Sequence, residues 1–165
     1  MSGMNYSVMR PNEVDVSKFK FSDVKQIPSG AKLIYLNYGE GINRLHLQTP
    51  EMNIPFDSGT FYPDKEGSGK WQLKVSMDNY QSNESMKAFH DKLVEMDECI
   101  LKAGMENSLA WFKKKSLAEG TARDLYSPMV KVSTDKETGE PNGKWPPQFA
   151  FKIRKSDGDV QCRCF

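Results

Sequence analysis

Across residues 70–77 apolar and polar side chains alternate without a break. Trp71, Leu73, Val75 and Met77 fall on one side of an extended chain, with Lys70, Gln72, Lys74 and Ser76 on the other. Successive strand side chains point to opposite faces, so this period predicts a half-buried strand. Shorter runs repeat it. Phe19 and Phe21 alternate within 16–24, and Pro28-Ser-Gly30 ends that run. Residues 33–38 are aliphatic and aromatic and stop at Tyr38-Gly-Glu-Gly41, a hairpin-like turn signal. Within 43–49, Leu45 and Leu47 oppose Arg44, His46 and Gln48, until Pro50 closes the run. Met52, Ile54 and Phe56 alternate around Pro55, which confines that stretch to a sheet edge. Residues 57–69 read as a loop carrying Phe61 and Tyr62. Residues 129–133 form another short alternation. Trp145-Pro-Pro147 opens a strand over 149–154, with Phe149, Phe151 and Ile153 inward and Lys152 and Arg154 outward. Asp157-Gly158 signals a hairpin, and 160–165 pairs back with Gln161 and Arg163 on its polar side.

Between these strands the period changes. Met86, Phe89, Leu93, Met96 and Ile100 follow three-four steps, the stripe of an amphipathic helix over about 83–103. Ser82 or Asn83 suits its cap, Glu84 its first turn and Gly104 its end. Leu109, Trp111 and Phe112 predict a second helical piece closed by Lys113-Lys-Lys115. Residues 1–15 read as a loose leader, 120–128 as a linker and 135–143 as a polar loop.

The chain has 165 residues, enough for one domain with a real core. Its net charge of +1 argues against binding by bulk charge and leaves room for a local basic groove. No apolar run approaches a membrane span, and the N-terminus lacks the apolar centre of a signal peptide. Cys99, Cys162 and Cys164 make an odd number without framework spacing, which suits a reducing compartment. The expected location is therefore intracellular. Those cysteines with His90 lack paired ligand spacing, so no metal is expected. His46 and His90 lie far apart without a recognisable nucleophile, and Gly67-Ser-Gly69-Lys70 lacks phosphate-loop spacing. Neither an enzyme nor a cofactor is expected.

The outer strand faces share a composition. Arg44, His46 and Gln48, then Lys70, Gln72 and Lys74, then Lys152 and Arg154, then Gln161 and Arg163 are basic or amide-bearing, without an acid inside those strands. Acids gather in the helix instead, at Glu84, Asp91, Glu95, Asp97, Glu98 and Glu106. A basic groove rimmed by aromatics holds a single nucleic-acid strand through its phosphates and stacked bases. The candidate site is Arg44, His46, Lys70, Gln72, Lys74, Lys152, Arg154 and Arg163, with Tyr80 and Trp145 to stack bases. The plainer reading is that these bases only keep the strands soluble.

Several short blocks resemble one family. They are Ile34-Tyr-Leu-Asn-Tyr38 with Gly39, Leu47-Gln-Thr-Pro50 with Met52 and Pro55-Phe56, and residues 70–77 leading into the helix. Tyr126-Ser-Pro-Met-Val-Lys131 and Pro146-Pro-Gln-Phe-Ala-Phe-Lys152 complete the set. Together, over roughly 31–165, they are similar to the single-stranded DNA-binding proteins of T-odd podovirus replication and their relatives in nucleocytoplasmic large DNA viruses. The resemblance implies a mainly β, OB-fold-like barrel with a long amphipathic helix inserted after the third strand, preceded by residues 1–30 as a leader and short strand. It implies sequence-independent protection of single-stranded DNA during viral replication and recombination, at replication sites in the host cytoplasm or nucleus. Homodimers and contacts with replication proteins are implied as well. Family members continue with barrel-closing strands and an acidic tail, whereas this chain stops at Phe165 in mid-strand. The expectation is that it is a piece of a longer chain or is completed by another. The competing reading is an OB-like protein-interaction or virion-structural domain with no nucleic-acid role, since a fold does not fix a function.

Overall fold

An alternating stretch becomes a strand only where a second backbone lies beside it, so the pairings decide the architecture. The computed structural model describes residues 8–41, 43–55, 71–153, 155–156 and 159–160. In chain order the strands are Val8–Met9 (β1), Phe19–Phe21 (β2), Lys25–Gln26 (β3), Lys32–Leu33 (β4), Leu36–Tyr38 (β5) and His46–Leu47 (β6). Trp71–Ser76 (β7), Val130–Lys131 (β8), Gln148–Ile153 (β9), Lys155–Ser156 (β10) and Asp159–Val160 (β11) follow. Between β7 and β8 run the helices Glu84–Glu106 (α1), Ser108–Phe112 (α2) and Glu119–Leu125 (α3).

The expected barrel is not there. Strands pair two by two, as β1-β6, β2-β5, β3-β4 and β10-β11, except for the three-stranded sheet β7-β9-β8. Among the described residues no sheet closes on itself, and the chain is mixed α/β rather than mainly β. The long helix follows the seventh strand, not the third. A closed barrel needs strands long enough to tilt and stagger around a full ring. Here most strands are two or three residues long. The run over 33–38 splits into β4 and β5, and that over 43–49 pairs only at His46 and Leu47.

The chain forms two units, Met1–Thr49 with Asp91–Pro128 and Pro50–His90 with Met129–Phe165. In the first, β1 and β6 are parallel, pairing Val8 with His46 and Met9 with Leu47. The antiparallel β2-β5 pair sets Phe19 opposite Tyr38, their rings 6.0 Å apart and edge-on. Val14 and Phe19 are buried there, as are Leu93, Met96, Leu101, Trp111 and Ala122. Lys92 Nζ donates to Val14 O at 2.7 Å, tying the stretch before β2 to α1.

In the second unit β7 and β9 pair antiparallel over their whole length, from Trp71 opposite Ile153 to Ser76 opposite Gln148. Val75, Met77, Met86, Phe89 and Val130 are buried. Phe89, 1% exposed, meets Phe149 edge-on at 5.8 Å, so the first turns of α1 cover the apolar face of the sheet. Asn83 caps α1: its Oδ1 accepts from Met86 N at 3.1 Å. Met86, Phe89, Leu93 and Met96 are buried as their spacing requires, while Ile100 is half-buried.

Candidate nucleic-acid interface

In an antiparallel pair, residues directly opposite share a face. Gln72 therefore sides with Lys152, Lys74 with Ala150, and Ser76 with Gln148 and, one strand further, Lys131. Lys74, Lys131 and Lys152 are exposed on this face, with Gln72. Lys74 and Lys152 are diagonal neighbours, roughly 7–8 Å apart at the backbone. No residue of β7, β8 or β9 on this face is acidic. Asp78 lies past the end of β7. It accepts from Ser76 Oγ at 2.7 Å and from Asn53 Nδ2 at 3.1 Å.

Where β7 ends and β9 begins, Met77 N donates to Pro147 O at 2.9 Å. A cleft of about 610 Å³ opens at this end of the sheet, lined by Met77, Tyr80, Val132, Trp145, Pro146 and Pro147 among others. Tyr80 reaches it from a tight turn in which Tyr80 N donates to Met77 O and Asn79 takes a left-handed φ of 55°. Its ring lies 4.3 Å from that of His90, tilted by 31°. Trp145 is 62% exposed. Its backbone N donates to Ser133 Oγ at 3.1 Å, and Ser133 Oγ donates to Asn142 Oδ1 at 2.8 Å. Lys144 Nζ sits 5.8 Å from the Trp145 ring centre. The described lining carries no charge; its surfaces are rings, proline edges and amides.

Of the residues expected to bind, the structure brings together Gln72, Lys74 and Lys152 on one face, with Tyr80 and Trp145 on one cleft at its end. Arg44, exposed, and His46, half-buried on β6, belong to the other unit. Arg44 lies outside any strand, so the outward face expected for 43–49 does not form. Lys70, Arg154 and Arg163 lie outside the described residues. Lys131 was not anticipated. The signal was present, because the short alternation over 129–133 sets Lys131 opposite Val130 and Val132.

Among the described residues no group of three His, Cys, Asp or Glu could hold a metal ion. No described helix is long and apolar enough to cross a membrane. Compared with known proteins, the chain matches no family model, no curated protein and no solved structure.

Proposed function

We propose that this protein binds single-stranded DNA without reading its sequence, and so covers strands exposed during replication and recombination. The observation that carries the reading is that Lys74, Lys131 and Lys152 share a sheet face on which no residue of β7, β8 or β9 is acidic, and whose end opens on the cleft of Tyr80 and Trp145. Lysines on a flat sheet meet phosphates as point charges and tolerate any base. Ring faces in an uncharged cleft accept any base, because every base has a π-face. The reading needs no barrel. Spaced cations and ring faces are surface properties, and the lysines of this sheet with the rings of the cleft beside it support the reading. DNA rather than RNA is chosen from the family that the sequence blocks resemble.

A titration of labelled oligothymidylate at several salt concentrations tests the reading. With about five phosphates contacted, log K against log salt falls with a slope near −3.5. Lys74→Glu with Lys152→Glu weakens binding at least tenfold and leaves the fold intact, since both side chains are exposed. Trp145→Ala costs roughly 1–3 kcal/mol of binding. Parental affinity in the folded double variant, or equal affinity for duplex of the same length, overturns it.

A further inference from the structure

Lys32, Lys113 and Lys114 edge a second cleft, of about 590 Å³, walled by Trp111 and Phe112. It lies wholly in the first unit, apart in sequence from the sheet face described above. None of its described lining residues is acidic.

The plain account of lysines at the end of a helix is that they neutralise its last carbonyls. Here other groups already meet three of the α2 carbonyls. Lys113 takes the left-handed conformation, φ 59°, at the position where glycine is usual. Lys113 N donates to Leu109 O at 3.0 Å and Lys114 N to Ser108 O at 3.3 Å. Lys32 Nζ donates to Trp111 O at 2.7 Å. Backbone amides and Lys32 thus take up the carbonyls of Ser108, Leu109 and Trp111 without the ammonium groups of Lys113 and Lys114. The same bond from Lys32 fixes one positive charge on the cleft wall. The ring wall is fixed too. Trp111 is buried, edge-on to Phe21 at 5.3 Å and to Phe112 at 6.3 Å, and Phe112 remains 48% exposed. Cations beside an exposed ring, with no acid among them, suit a phosphate carrying a flat base.

We propose that the cleft edged by Lys32, Lys113 and Lys114 holds backbone phosphates of a single DNA strand, a second contact carried by the first unit. It rests on the reading above that this protein binds single-stranded DNA.

The test compares three double charge reversals: Lys113→Glu with Lys114→Glu in the cleft, Lys74→Glu with Lys152→Glu on the sheet, and Lys102→Glu with Lys136→Glu as a control of equal charge change. Each is titrated with labelled oligothymidylate of about 30 nucleotides, long enough for more than one contact. The cleft variant is expected to bind at least fivefold more weakly, with the salt slope reduced by about 1.4, two contacts at roughly 0.7 each. The control stays within twofold of the parent. If the cleft reversal does not fold, Lys113→Gln with Lys114→Gln replaces it, and the same loss of slope is expected. Parental affinity and slope in the cleft variant, with loss in the sheet variant, overturn this inference and leave the first reading standing. An equal loss in the control overturns it also. So does polyglutamate that displaces the strand from the sheet variant as well as oligothymidylate does. A parent that fails to bind the strand at all removes both readings.

Discussion

Tyr126 shows what the residue scale adds to a pattern of apolar positions. Its hydroxyl donates to Asp97 Oδ1 at 2.6 Å, and Asp97 is only 6% exposed. Asp97 sits on α1 four residues after the buried Leu93 and four before the buried Leu101, so its burial follows from the helix turning it to their face rather than from hydrophobicity. Burial, with the carboxylate beside it, pushes the Tyr126 hydroxyl well above the ordinary tyrosine range. The folded chain therefore keeps a proton that the unfolded chain gives up near pH 10, the usual value. This contribution to stability is complete below about pH 10 and is lost as pH rises beyond it toward the folded value. Tyr126→Phe removes that donor from Asp97 and is expected to cost about 1–3 kcal/mol at neutral pH. It should also flatten the alkaline decline, as measured by urea unfolding at pH 7 and near pH 11. Equal stability of the variant and parent at both values would show that the bond contributes nothing. Sequence gave no hint of this pair: residues 29 apart in the chain meet only because α3 forms.

At the scale of elements, periodicity served where a helix or strand is long. Five residues at three-four spacing located α1, and unbroken alternation located β7 and the body of β9. It failed where local signals are two-sided. Gly104 suits the end of α1 by sequence, yet the helix runs on to Glu106. A single helical glycine costs only about 1 kcal/mol, which packing readily offsets. A methyl group built on Gly104 would lie 3.7 Å from Phe112 and 3.8 Å from Trp111, ordinary contact distances. Gly104→Ala is therefore expected to raise stability by about 0.5–1 kcal/mol, through a less flexible unfolded chain, in a denaturant titration. Destabilisation instead would mean that the rings cannot accommodate even this contact. Gly120 misled in the same way, hiding α3. The overlooked signal was Glu119 four residues before Arg123, which the structure pairs at 2.9 Å while Arg123 also holds Glu98 through two bonds. The stripe itself is tested by Leu93, 3% exposed. Leu93→Ala should lower unfolding free energy by about 2–5 kcal/mol, and a loss below about 0.5 kcal/mol would show that this position is not packed.

For the whole molecule, pairing partners were the least legible feature. Alternation marks a strand without naming its neighbour. Nothing in Val8 and Met9 announces a parallel partner at His46 and Leu47, and a stretch expected as leader supplies β1. The basic face was legible in part, because Gln72, Lys74 and Lys152 each stand opposite apolar neighbours in sequence. Their convergence needed the β7-β9 register. The pairing of Lys155 with Val160 and of Ser156 with Asp159 was legible because the partners lie close together in the chain; the turn expected at Asp157-Gly158 lies outside the described residues. The interleaved division of the chain bears on how it is made. Neither unit is a continuous stretch, since each is assembled from an earlier and a later segment. A ribosome releases β7 long before β9, so this strand edge waits unpaired while some 70 further residues emerge, whereas α1 forms locally at once. Dissection by a single cut meets the same obstacle. A fragment ending at Pro128 retains both segments of the first unit but carries residues 50–90 without β9, the strand that pairs with β7, leaving an edge prone to aggregation. Separating the two units for study therefore calls for rejoining distant segments by circular permutation or a linker rather than for truncation.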